Sequence, residues 1–328
     1  MLSSDTMERQ PQGTNSMPLP ILPRNINDPT GQDSRERRAI ADFTKRIKAI
    51  GQHAKKVLDD HRPTVLTLNA LDVEVKKYQF NIDENEYDFI GDELDNLIDR
   101  LMLEGGDSAR LWLTVGYVQP AFQQGAAMAY SNLSIQSKAY KLSRPNLESV
   151  LMSPAYRRRL GYVKSREFEE MKGLSSDLKR AYRTSLLDGM AQGLNPLTIA
   201  KNIASTTGTS IVRAARIART EVTLALKRSR VDEAEDSSEN LGLNIRMMQL
   251  SALSPTTRLS HAQRHAKIYT FEQVRAWLAT SPNSINCKCT FVEVLVKADG
   301  TPITPQIVER AKKMRPDGFD YDDLEDDK

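Results

Sequence analysis

Two cysteines, Cys287 and Cys289, and two of the four histidines, His261 and His265, fall in the tract 261–289 of a 328-residue chain. On an extended segment, residues two apart leave the same face, so the two thiols would point together. A disulfide between such near neighbours would be strained, which favours free thiols or shared metal ligation. If His261 and His265 lie on a helical turn, their i, i+4 spacing gives them a common face as well. The four together would make a tetrahedral Cys₂His₂ zinc site of soft and borderline ligands. One-residue cysteine spacing is not the usual zinc-finger spacing, however. The favoured reading is that these residues close a small domain by packing and hydrogen bonding, so that no cofactor is expected and zinc is the alternative.

Arg219-Thr220-Glu221 is a second polar cluster. It reads either as an active-site acid held by arginine or as a structural link between a helix and a strand, and the second is favoured. Hydrolysis of nucleic acid would need a general base such as His261, with Glu221 and an arginine to stabilise developing charge. These residue types are present, but nothing in their spacing shows that they converge. The chain has no phosphate-binding glycine loop, nucleophile elbow or paired-carboxylate motif. No catalytic residue is therefore assigned.

The elements that must position these residues are mainly helical. Residues 1–36 carry Pro11, Pro18, Pro20, Pro23 and Pro29 among polar residues, which suits a disordered arm. Ile40, Phe43, Ile47, Ile50 and Val57 predict a helix over 36–60, ended by Pro63. Segments 65–71 and 73–82 read as extended. Ile90, Leu94, Leu97 and Leu101 mark a helix stopped by Gly105-Gly106. A third helix over 108–136 should bend at Gly116 and Pro120, and its Gly125, Ala126, Ala127 and Ala129 would admit a close neighbour. Gly193 should take a positive φ at a helix end, with Asn195 capping the next helix and Pro196 at its first position. Thr206 to Ser210 reads as a turn before a long helix over 211–235. Along that helix Ile211, Ala215, Ala218, Val222 and Ala225 form an apolar seam, opposite a polar stripe of Arg216, Thr220, Thr223, Lys227 and Arg230. Strands are expected over 244–250 and 289–296, with a helix over 271–278 between them.

These elements give a predominantly helical α+β protein. The expected parts are the arm 1–36, a helical N-terminal domain 37–175, a smaller α+β domain 176–298 with a short sheet, and a flexible acidic tail 299–328. With 46 basic and 43 acidic residues, no global field draws the chain onto DNA. A local contact is the sharper reading of Arg157, Arg158, Arg159, Lys164, Arg166, Lys179, Arg180 and Arg183. The blander and favoured reading is a solvated helical face balanced by neighbouring acids. No apolar stretch suits a signal segment or a membrane span, so no membrane contact is expected and synthesis in the cytosol is.

The succession Gly189-Met-Ala-Gln-Gly193-Leu-Asn-Pro196, Ala215-Arg-Ile-Ala-Arg-Thr-Glu221, Thr257-Arg258-Leu-Ser-His261 and Asn286-Cys-Lys-Cys289 resembles the phage Mu F-like family of head morphogenesis proteins. The resemblance covers about residues 180–296 and rests on the order of the four motifs. It implies a minor capsid protein of a tailed bacteriophage, located in the virion head at or near the portal. The implied partners are portal and major capsid proteins and the packaged DNA, with a role in head assembly, genome packaging or delivery. The alternative is a head-carried nuclease or toxin-like effector using His261 and Glu221. The resemblance singles out Arg219, Thr220, Glu221, Arg258, His261, Asn286, Cys287 and Cys289 as its structural motif. Two positions depart from the family pattern: His265-Ala266 stands where an aspartate-glycine pair is usual, and Lys288 stands where arginine is usual.

Overall fold

Helix-forming runs with apolar spacing account for most of the architecture in the computed structural model, which describes residues 19–70, 73–317 and 319. Helix α1 (Asp33–Asp60) buries Phe43, Ile47, Ile50 and Ala54. The hairpin β1 (Thr64–Ala70) and β2 (Val73–Gln79) pairs antiparallel from Thr64↔Gln79 to Ala70↔Val73. Helix α2 (Glu84–Met102) follows, capped by the Asp83 side chain. The bend expected in the third helix is a π turn over Thr114–Val118, which runs into α3 (Gln119–Gln136). Pro120 sits in the first turn of α3, where a missing amide costs little.

Short helices α4 (Lys138–Ser143) and α5 (Leu147–Leu151) lead to α6 (Pro154–Arg183). The expected domain boundary at 175/176 falls inside α6. A second π turn, Thr184–Asp188, and the single turn α7 (Gly189–Ala191) end this run. Gly193 takes φ +66°, and Leu194 N–H donates to Gly189 O, the long bond of a Schellman ending. Asn195 then accepts from Leu197 N–H with Pro196 at the first position of α8 (Pro196–Leu241).

Helix α8 has 46 residues and is about 70 Å long. It corrects two expectations. Thr206 to Ser210 is not a turn. Thr207 Oγ1 donates to Ile203 O at 2.8 Å and meets Tyr182 Oη at 2.9 Å, and Thr206 meets Ser185 at 2.6 Å. The hydroxyls are satisfied without breaking the helix, and Gly208 costs only about 1 kcal/mol. The helix also continues past Glu235, because Asp236 and Ser237 are buried and partnered, and it stops at Gly242 with φ +64°.

The sheet has the order β4-β3-β5 and is antiparallel throughout: β3 (Ile245–Leu250), β4 (Ile268–Tyr269) and β5 (Thr290–Leu295). Between these strands lie α9 (Leu259–Ala262) and α10 (Phe271–Ala279). Helix α11 (Gln306–Lys312) comes from the segment expected to be a flexible tail, and its Ile307 and Ala311 are fully buried. Residues 19–32, expected in the arm, lie against the body: Ile21 N–H donates to Asn132 Oδ1 at 2.8 Å. The rest of the arm, 1–18, and the acidic residues 320–328 lie outside the described residues.

One large core joins α1, α2, α3, α6 and the first part of α8. A second lies between the last part of α8, α10 and one face of the sheet, and a third between the other face and α11. Strand β5 is therefore buried on both faces. The small residues of α3 admit α8 as expected, since a Cβ at Gly125 would stand 2.3 Å from Leu226 O.

Candidate functional site

The later part of the polar stripe of α8, Thr223, Lys227 and Arg230, is buried against the sheet and its loops, whereas Arg216 is exposed and Thr220 half-buried. Arg230 and Glu293, both essentially inaccessible, form a two-pronged pair, Nε–Oε1 2.8 Å and Nη2–Oε2 2.6 Å. Asn132 Nδ2 donates to Glu293 Oε2 at 2.8 Å, and Gln136 Nε2 donates to Glu293 O at 2.9 Å. In return, Gln136 Oε1 accepts Leu295 N–H at 3.1 Å. This network ties α3, α8 and β5 together, and every charged oxygen in it has a donor. A glutamate within the otherwise apolar run of β5 was its only sequence signal.

About one and three turns earlier, α8 holds the loop that carries the cysteines. Thr220 Oγ1 accepts Asn286 N–H at 3.1 Å, and the fully buried Lys227 ammonium donates to Cys287 O. Asn286 has φ +52°, a left-handed conformation that asparagine tolerates. That turn sends Cys287 and Cys289 to the same side as the chain enters β5. Both thiols are buried and free.

His261 meets them from α9. Its ring stands edge-on to Trp277, centroids 5.1 Å apart. Its Nδ1 lies 3.5 Å from Cys287 Sγ and 3.5 Å from Cys289 Sγ, and its Nε2 lies 3.1 Å from Arg258 Nη1. Arginine can only donate, so Nε2 accepts here and the ring proton sits on Nδ1, aimed at sulfur. Arg258 also donates to Ile285 O at 2.8 Å. The Cys287 thiol is held well below its usual range, first by the hydrogen bond from Cys289, then by the Lys227 ammonium and the His261 ring. Cys289, the donor in that bond and fully buried, is pushed up correspondingly.

His265 does not join this cluster. Helix α9 ends at Ala262, so the i, i+4 face shared with His261 is never formed. Its Nδ1 instead accepts Ser251 N–H at 3.2 Å and its Nε2 donates to Ala311 O at 2.8 Å, strapping β3 to α11. Burial lowers its pKa. Ala266 beside it has φ +60°, so alanine makes a left-handed turn that glycine makes more cheaply.

The cluster opens onto a cavity of about 380 Å³ whose lining includes Arg219, Thr257, Arg258, His261, Cys287 and Cys289. Lys288 also lines it and pairs with Asp33 at the start of α1, 2.5 Å away. Glu36, one turn further on, is buried with Oε1 unpartnered. Burial raises its pKa to about 7, against the pull of Lys288 and Arg219. Neither acid was legible as a site residue, because the sequence places them far from the cysteines.

Glu221 is not held by Arg219 and does not line that cavity. It pairs with Arg166 of α6, above the fully buried Glu167. Burial and the Glu221 charge push the Glu167 carboxyl well above its usual range. The structure thus does not bring Glu221 and His261 together.

Most of the predicted basic contacts turn toward acids of the chain itself. Arg159 lies 4.0 Å from the Asp232 carboxylate and 3.9 Å from that of Asp236, Lys179 reaches Asp99 at 2.5 Å, and Arg183 reaches Asp95 at 3.1 Å. Arg180 pairs with Asp177 within α6. Arg157, Arg158 and Lys164 have no acidic partner among the described residues. Arg158 lines a cleft of about 460 Å³ with Arg159, Tyr162, Arg228 and Arg275.

Residues 181–292 match the family model described as Phage Mu protein F like protein. This segment is Mu F-like. It starts in the last turn of α6 and ends within β5, so it contains all of α8 and the whole His261 cluster. It spans about a third of the chain. No curated protein and no solved structure matches the chain. The matched segment contains all four motifs on which the resemblance to phage head morphogenesis proteins rests. Among the described residues, no helix is long and apolar enough to cross a membrane.

Proposed function

We propose that the protein is a minor head protein of a tailed bacteriophage. In this reading it sits at or near the portal, contacts portal and major capsid subunits, and assists genome packaging or delivery. The carrying observation is that the motif residues of the Mu F-like segment serve as internal joints. Thr220 holds Asn286, Glu221 holds Arg166, and Arg258 holds Ile285 O. Such joints suit a rigid assembly part. The Arg158 cleft, with its exposed Tyr162, is the face we assign to packaged DNA. Mass spectrometry of purified proheads and virions is expected to find the chain at low copy number. Its absence from both would overturn the proposal.

The rival assignment, a nuclease or toxin-like effector, requires His261 and Glu221 to act on one substrate. Their separate partners argue for structural roles instead. Cleavage of nucleic acid by the purified chain, abolished by His261→Ala with the fold intact, would reverse this assignment.

A further inference from the structure

We propose that His261 Nδ1, Cys287 Sγ and Cys289 Sγ bind one zinc ion, with the fourth coordination position open to the cavity between Arg219 and Arg258. The three ligand atoms lie within 4.8 Å of one another, and all three residues are buried. Zn–S bonds of about 2.3 Å and Zn–N bonds of about 2.0–2.1 Å, meeting at a tetrahedral angle, place sulfur and nitrogen about 3.6 Å apart. Both observed Sγ···Nδ1 separations are 3.5 Å.

Hydrogen bonding explains only one of these contacts, because a ring nitrogen carries one proton or one lone pair. A metal on Nδ1 uses both. Two thiolates and an imidazole form a soft, tetrahedral donor set that favours zinc over the hard cations. The Lys227 ammonium, fully buried behind Cys287, reduces the cost of ionising thiols in the interior.

Three protein ligands leave one position, and the cavity reaches all three residues. Water or a small anion would complete the sphere, drawn by the guanidinium groups of Arg219 and Arg258. Zinc on Nδ1 also moves the ring proton to Nε2, which then faces a second donor, Arg258 Nη1, 3.1 Å away. Metal binding therefore turns Arg258 off the ring while its bond to Ile285 O can remain. His265, committed to Ser251 and Ala311, is not a ligand.

The test uses the full chain, stripped of metal and titrated with zinc against a chromophoric chelator. One equivalent is expected to bind, and cobalt(II) in its place should give thiolate charge-transfer bands and the intense visible bands of a tetrahedral site. Cys287→Ser and Cys289→Ser should each lose the equivalent, His265→Ala should keep it, and Arg258→Met should bind zinc more tightly. Circular dichroism of each apo variant separates loss of ligand from loss of fold. Azide should shift the cobalt bands through the open position, and unchanged bands would refute that position. Failure of the folded wild-type chain to bind zinc would overturn the site, as would full retention by both serine variants.

Discussion

Helix α8 buries small apolar residues along Ala214, Ala218, Val222 and Ala225, against α1 and α3, but charged and polar ones along Thr223, Lys227, Arg230 and Ser237, against the sheet and its loops. The first join depends on how closely two backbones can approach. The second depends on each buried charge finding its own partner. An apolar seam tolerates small slips, whereas Arg230 has its two-pronged acceptor only when β5 sits in one register. We take the polar half to fix the placement of the sheet, and therefore of the cysteine loop, on the helical body.

The largest expected effect breaks the polar join. Glu293→Ala strands the buried Arg230 charge and should cost about 3–5 kcal/mol, read from the urea midpoint. Replacing both partners by methionine should recover most of that loss. A double variant as unstable as the single one would shift the weight from the ion pair to Asn132 and Gln136.

Next, two glycines test the apolar join. Gly125→Ala would drive a methyl into Leu226 O and should cost about 1–3 kcal/mol. Gly208→Ala, on α8 and facing open space, should instead gain up to about 1 kcal/mol. Equal effects at the two positions would refute close approach as the source of stability.

A smaller effect sharpens the comparison where α1 touches the polar cavity. The Glu36 pKa is raised from 4.5 to about 7, so the folded state holds this proton more tightly than the unfolded state. Stability from this group is present below about pH 4.5 and is lost as pH rises toward 7. Glu36→Gln should match the wild type in acid and exceed it above pH 7. Denaturation curves that stay parallel across that range would contradict the assignment.

Local signals read correctly wherever the physics is local. The Gly193 ending, the Asn195 cap with Pro196, the Gly105-Gly106 stop and the strands around Met247 and Val292 all follow from nearest-neighbour chemistry. The same rules misread Thr206 to Ser210, where hydroxyls that favour turns found partners on α6, on the π turn after it and on the preceding helical turn. They also placed His265 with His261, because spacing alone implies a helix that in fact stops at Ala262. The basic run of α6 suggested an external acidic neighbour. Asp99, Asp95 and Asp232 occupy that place for Lys179, Arg183 and Arg159 respectively.

From the chain alone came the mainly helical α+β class, the Mu F-like motifs, and the expectation that Cys287 and Cys289 face one way. These depend on periodicity, caps and a spacing of two, all set by residues near in sequence. Tertiary structure alone chose His261 over His265, delivered Lys227 and Arg258 to the thiols, brought Glu36 from the far end of the chain, and buried Arg230 against Glu293. Those pairings join residues that are distant in sequence, and only packing can decide which desolvated charge meets which partner.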